Sequence, residues 1–256
     1  MKNVIFYFSG TGNSMQVAED IAHEIEECDV INLAKYDKKI SINAERVGIV
    51  FPVYFWGVPN IIKAFLKNVE FVNDPYIFAI ATCGGTAGAS LIQVNRLLKL
   101  KNQKLSAGFF ILMPDNYIMM FNPGDEEKQQ KLFDEEKMKI SVIKEVVLNK
   151  KEQAFESSKL IIDRFCGNAI NNLVVKKYPL KDYGFNVNEK CIGCGKCKEV
   201  CSVSNIEMIN GKPNWKHHCE FCLGCLNICP VQSINYKNKT QNRSRYINPN
   251  VKIGTV

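Results

Sequence analysis

The chain reads as an α/β protein. A doubly wound, five-stranded parallel sheet is expected over residues 1–165, and a small α+β module over residues 183–237. Three observations lead there. Strand-like and helix-like apolar patterns alternate through the first 115 residues. That alternation stops near residue 183. Eight of the eleven cysteines fall between residues 191 and 229.

Residues 4–8 are a continuous apolar run, as in a strand buried on both faces. Met15, Ala18, Ile21, Ala22 and Ile25 then repeat at helical spacing. Val30 and Ile31 mark a second strand, and residues 47–51 a third that stops at Pro52. The link between these two strands leaves room for a helical turn or two. A helix follows Pro59 on Ile61, Ile62, Phe65 and Leu66. Residues 76–81 are the fourth strand, Leu91, Val94, Leu97 and Leu98 the next helix, and residues 108–113 the fifth strand. Such alternation implies right-handed crossovers with helices on both faces of the sheet. Residues 125–172 are helical in character: Asp125, Glu126 and Glu127 suit a helix start, Lys150 and Lys151 a helix end, and Gly167 a break. Residues 166–182 are expected to be a linker and residues 238–256 a polar, basic tail.

With 46% hydrophobic and 23% charged residues, the composition is that of a globular protein and excludes a disordered chain. No apolar run is long enough for a transmembrane helix, and the N-terminus lacks the pattern of a signal peptide, so the expected location is the cytoplasm, with no membrane partner. In such a reducing compartment, dense cysteines read as metal ligands rather than disulfides. Net charge is +7: residues 1–182 carry 23 basic and 22 acidic groups, and residues 183–256 carry 10 and 4. The basic tail raises a nucleic-acid reading, which the cofactors argued below weaken.

The cysteines form one motif written twice: Cys191-x2-Cys194-x2-Cys197-x3-Cys201 and Cys219-x2-Cys222-x2-Cys225-x3-Cys229-Pro230. Zinc usually takes paired C-x2-C elements instead. The run resembles that of bacterial two-cluster ferredoxins. That resemblance implies two 4Fe–4S clusters, one on Cys191, Cys194, Cys197 and Cys229, the other on Cys219, Cys222, Cys225 and Cys201. Gly193, Gly195 and Gly224 would let the backbone approach closely. The chain departs from the family at Ser202, where proline is usual. His217 and His218 read as surface residues, with tuning of the nearby cluster as the alternative. Cys28 and Cys166 read as small apolar residues near helix ends.

Ser9-Gly10-Thr11-Gly12-Asn13-Ser14 joins the first strand to the first helix, where free amides bind anions. It has no lysine, so it is not a P-loop, and Met15 breaks a dinucleotide fingerprint. Hydroxyls without a cation suit a terminal phosphate monoester. The loop resembles the FMN phosphate loop of flavodoxins, whose fold matches the five alternating strands. The resemblance extends to two segments at strand ends, Pro52-Val53-Tyr54-Phe55-Trp56-Gly57 and Thr82-Cys83-Gly84-Gly85, which in flavodoxins grip the isoalloxazine ring. Tyr54 or Trp56 would stack on the ring, and the peptide at Gly57 would flip toward reduced flavin. Asn116 and Tyr117 are candidates for a third wall.

As a whole the chain resembles the flavodoxin–ferredoxin fusions of anaerobic bacteria and archaea. The resemblance implies an electron carrier that passes single electrons between two 4Fe–4S clusters and FMN and on to an acidic redox partner. The alternative is an FMN-dependent reductase of a quinone, nitro compound or disulfide. Two oxidised clusters with their thiolates contribute about −4 and the FMN phosphate about −1.5 to −2, which offsets most of the basic charge and disfavours nucleic acid.

Overall fold

A computed structural model of the chain describes residues 2–35, 40–156 and 161–252. In chain order the strands are β1 (Asn3–Tyr7), β2 (Cys28–Asn32), β3 (Ser41–Ile42), β4 (Arg46–Pro52), β5 (Glu70–Phe71), β6 (Tyr76–Cys83), β7 (Ala107–Leu112), β8 (Phe185–Val187), β9 (Ile206–Ile209), β10 (Lys212–Trp215) and β11 (Ile234–Tyr236). The helices are α1 (Asn13–Ile25), α2 (Asn60–Asn68), α3 (Ser90–Lys99), α4 (Glu126–Leu148), α5 (Ile161–Val175), α6 (Lys196–Glu199) and α7 (Gly224–Ile228).

The expected parallel sheet has the order β2-β1-β4-β6-β7. β1 is buried throughout because helices cover both faces: Val4, Phe6 and Phe8 join one apolar cluster, and Ile5 and Tyr7 the other. The order reverses beside β1, so a crevice opens at the carboxyl ends of β1, β4 and β6. The link after β2 holds a 3-10 turn at Leu33–Lys35, and the short pair β3 and β5 adds two parallel strands with no counterpart in the sequence reading.

α4 starts where the acidic run predicts, with the Asp125 side chain accepting from the Lys128 N–H at 3.0 Å. It packs Phe133, Ile140, Ile143 and Val147 on the sheet. Glu136 is fully buried against α1, where Gln16 Nε2 donates to its Oε2 at 3.3 Å and Asp20 stands nearby.

Two expectations change. The proposed linker is ordered: α5 runs through Gly167 to Val175, and a 3-10 segment follows over Tyr178–Gly184. Apolar burial explains this, since Val175 and Tyr178 sit in a cluster with Phe185, Phe221, Leu226 and Ile118. That cluster joins the sheet to the cysteine-rich segment, which consists of two antiparallel pairs, β8 with β11 and β9 with β10, plus α6 and α7. The tail is likewise packed: Thr240, Tyr246 and Asn248 are buried. Cys28 lies against the core, as expected; the Cys166 side chain lies outside the described residues.

Burial, then the neighbouring Asp20, lifts the Glu136 carboxyl from 4.5 to about 8. The folded protein therefore keeps a proton that the unfolded chain has lost above its ordinary range. Stability should fall as pH rises across this window, by at most about 1.4 kcal/mol per pH unit. Thermal unfolding at a series of pH values should show this decline in the native protein and a flatter profile in Glu136→Gln.

Candidate functional site

The crevice at the strand ends is a cavity of about 410 Å³, within the range of small-molecule sites. The loop after β1 forms its floor. Gly12 takes the left-handed conformation (φ 101°) that turns the chain into α1, and its N–H donates to Ser9 Oγ at 3.0 Å. Thr11 Oγ1 accepts from Asn116 Nδ2 at 2.8 Å. Each hydroxyl thus has a lone pair filled by the protein and keeps its proton for a ligand. Ser14 and Thr82 share a buried hydroxyl hydrogen bond of 2.8 Å. The amides of the first turn of α1 complete the donor set.

Asn13 lines the cavity, but its carboxamide is already engaged. Nδ2 donates to the Pro114 carbonyl at 2.9 Å, while Oδ1 accepts from Tyr246 Oη at 2.6 Å and Asn248 Nδ2 at 3.1 Å. The side chain thereby rivets three segments together.

Pro52, Val53, Tyr54, Phe55 and Trp56 line one wall. Tyr54 and Gly57 exchange backbone hydrogen bonds of 2.8 and 3.1 Å across a two-residue turn. Phe55 (φ 44°) and Trp56 (φ 59°) both occupy left-handed backbone, which costs a non-glycine residue about 1–2 kcal/mol. The surroundings hold this strain. Ala89 N–H donates to the Trp56 carbonyl at 2.7 Å, Asn171 Nδ2 to the Tyr54 carbonyl at 2.6 Å, and Val58 N–H to Gln93 Oε1 at 2.8 Å. Gly57 packs against Asn171 of α5 and Gln93 of α3. Its peptide carbonyl neighbour at Trp56 is already bonded, and a Cβ at Gly57 would strike the side chains of Asn171 and Gln93. Glycine is needed there so that α3 and α5 can grip the turn. No periodicity marks Gln93 or Asn171, because their role is polar and long-range.

Thr82, Cys83, Gly84 and Gly85 form the opposite wall, and burial pushes the Cys83 thiol up to about 12. Asn116 and Tyr117 close the third, as expected, and bring Asp115 with them. Its Oδ1 accepts from the Tyr117 N–H at 2.7 Å, and burial holds the carboxyl above its ordinary range. The fourth wall is not foreshadowed by the sequence: Tyr178 comes from the 3-10 segment after α5, and Phe221, Cys222 and Leu223 come from the second cysteine motif. A Cβ on Gly10 would lie 2.6 Å from the Cys222 carbonyl oxygen, and one on Gly224 2.7 Å from the Gly10 carbonyl oxygen. The two loops therefore meet backbone to backbone, which these two glycines allow.

The model of the flavodoxin domain family matches residues 4–139. The chain belongs to that family. Among solved structures it is similar to a flavodoxin from Streptococcus pneumoniae TIGR4 (12% identity, 56% of this chain and 99% of that one, TM-score 0.36). It is also similar to a flavodoxin from the domain Archaea (15%, 57% and 99%, TM-score 0.35). A third is an FMN-dependent NADH-azoreductase from Bacillus anthracis in complex with FMN (11%, 56% and 99%, TM-score 0.38). No curated protein matches the chain.

Beside the flavodoxin domain, the two cysteine motifs adopt the same backbone. Left-handed residues fall two and four places after the first cysteine of each: Gly193 and Gly195, then Phe221 and Leu223. In the second motif glycine is replaced by two residues whose side chains line the cavity, at the cost of backbone strain. Backbone N–H groups of Asn205, Phe221 and Ser233 donate to the sulfurs of Cys201, Cys219 and Cys229, each at 3.2 Å. Burial, then Cys194 and Cys229, pushes the Cys197 thiol up to about 11. Burial, then Cys222, Cys219 and Cys201, holds Cys225 far above its ordinary range. Every cysteine among the described residues is free, and among them no three His, Cys, Asp or Glu side chains close on a single metal ion. His217 and His218 are exposed yet anchored, His217 Nδ1 to Asp182 Oδ1 at 2.9 Å and His218 Nε2 to the Val203 carbonyl at 3.0 Å.

The packed tail fixes the floor of the cavity. Asn248 N–H donates to the Thr11 carbonyl at 2.9 Å, and Asn248 Nδ2 to Gln16 Oε1 at 2.7 Å. Replacing Asn248 with Ala strips buried acceptors of their donor. We expect a loss of about 1–3 kcal/mol, read as a lower urea midpoint.

Proposed function

We propose that the chain is an electron-transfer protein that holds FMN in the cavity and two 4Fe–4S clusters on the eight cysteines, and passes single electrons between them and on to a redox partner. The observation that carries this reading is the shared wall. Cys222 belongs at once to a cysteine motif and to the lining of a cavity floored by the Ser9–Ser14 loop.

The donor chemistry fits each group. The floor offers the Ser9 and Thr11 hydroxyl protons and a helix N-terminus to a phosphate, with no lysine or arginine lining it. The Phe55–Trp56 turn and Tyr117 offer aromatic faces to a planar ring. Around the cysteines, three N–H···S bonds and left-handed turns suit thiolates that each bind a separate corner of a cube. By analogy with the ferredoxin run, Cys219, Cys222, Cys225 and Cys201 would hold the cluster nearer the cavity, and Cys191, Cys194, Cys197 and Cys229 the other. When bound, FMN takes up one or two electrons and each cluster one, which links single-electron donors to either kind of acceptor.

A basic group supports an acidic protein partner. Lys181 lies over the rings of Phe221, Tyr178 and Phe55 at 4.8–5.5 Å, with Lys177 and Lys237 nearby. A second reading, reduction of a small acceptor, is favoured by Asp115 in the cavity and by the exposed Met120 and Phe121 at its mouth, which offer a proton source and an apolar landing. Turnover with quinones or nitro compounds that exceeds turnover through protein partners would favour it.

Anaerobically purified protein should contain about eight iron, eight acid-labile sulfide and one FMN, as two four-cysteine cubes require. Zinc, or iron without sulfide, would overturn the cluster assignment. Thr11→Val should weaken FMN by about 10- to 100-fold, since a hydrogen bond to a charged group contributes roughly 1.5–3 kcal/mol, and should leave riboflavin binding nearly unchanged. Equal weakening of both in equilibrium dialysis would place the phosphate elsewhere.

A further inference from the structure

Arg245 is a half-buried cation with no acidic partner among the described residues. Nη2 donates to the Ile234 carbonyl at 3.0 Å and to Asn235 Oδ1 at 2.9 Å. Nε and Nη1 are buried and have no hydrogen-bond partner among the described residues. No Asp or Glu occurs from residue 237 to the end of the chain. The position is fixed from both sides. β11 holds Nη2, and the next residue, the buried Tyr246, donates its N–H at 3.0 Å to Asn227 Oδ1. Asn227 lies on α7, the helix that carries Cys225 and ends at Cys229.

A guanidinium with donors left unpaired in the interior is costly, and removing a cation from water adds to that. An arrangement of this kind persists where an anion completes it. Burial works against the charge of Arg245, and the cysteines whose field favours that charge are Cys229 and Cys225. In the ferredoxin pairing these two cysteines belong to different clusters, so a single cation would stand between both.

We propose that Arg245 is the counter-cation of the two cysteine centres, with its Nε and Nη1 edge serving the anionic groups bound at Cys225 and Cys229 and raising their reduction potentials. The inference rests on the iron–sulfur reading given above. Arg245 is a positioning residue here: it carries no electron, and its charge favours the more negative, reduced state of each centre.

The test is an anaerobic redox titration with dithionite as reductant. Cluster reduction is followed by electron paramagnetic resonance in the native protein, Arg245→Gln and Arg245→Lys, with iron and sulfide measured in each. In Arg245→Gln the one-electron equilibrium should move at least tenfold toward the oxidised state, a fall of 59 mV or more. Arg245→Lys should keep a potential near native, because it keeps the charge. Unchanged potentials in a fully loaded Arg245→Gln protein overturn the proposal while leaving the iron–sulfur reading intact. If Arg245→Gln loses its clusters, Arg245→Lys decides: retention of iron and sulfide at near-native potential supports a charge role, and loss in both variants contradicts it. Native protein without iron and sulfide would overturn the underlying reading and the inference with it.

Discussion

The arrangement depends on one close approach, the backbone contact between the loop after β1 and the second cysteine motif. Gly10 and Gly224 face each other's loops with no room for a Cβ on either side. Any larger residue would push the loops apart, and Cys222 would leave the cavity wall. The contact is supported at long range. The apolar cluster of Ile118, Tyr178, Phe221 and Leu226 joins the sheet to the cysteine segment, and Asn248 ties the tail to Thr11 and Gln16. A cavity built in this way has walls from both halves of the chain.

Backbone strain gathers at the same place. Phe55, Trp56, Phe221 and Leu223 all lie in left-handed conformations that glycine adopts at far lower cost, and the first three contribute aromatic rings to or beside the cavity. The comparison between the cysteine motifs isolates the reason. Gly193 and Gly195 serve the backbone alone in the first motif, which is away from the cavity. Phe221 and Leu223 take the equivalent positions in the second, where side chains are needed to build a wall. Strain held by packing and by hydrogen bonds to Ala89, Asn171 and Gln93 fits a site that must keep its shape when empty.

Much of this was legible in the sequence, because the signals were local. The apolar runs of β1, β4 and β6, the Gly12 turn and the cysteine spacing each report on a few neighbouring residues, and they placed the sheet, the crevice and the three foreseen walls. What was missed depends on distant polar contacts. The part of α5 after Gly167 reads as a linker because its service is to present Asn171 to the Tyr54–Gly57 turn. The tail looked like a solvated basic segment because Lys237, Lys239 and Arg243 dominate its composition, yet Tyr246 and Asn248 turn inward to meet Asn13 and Gln16. The engagement of the Asn13 carboxamide is hidden for the same reason: nothing near it in sequence points to Pro114, Tyr246 and Asn248.

The central claim is that a flavin cavity and an iron-bearing cysteine centre share the Cys222 wall. Diffraction from crystals of the anaerobic protein, with anomalous data collected at the iron absorption edge, tests it most directly. The account predicts flavin density on the Ser9–Ser14 floor and two compact iron sites, one of them bounded by Cys219, Cys222 and Cys225 and adjoining the flavin. Flavin in the cavity with no iron at these cysteines, or iron bound there with Cys222 turned away from the flavin, would contradict it.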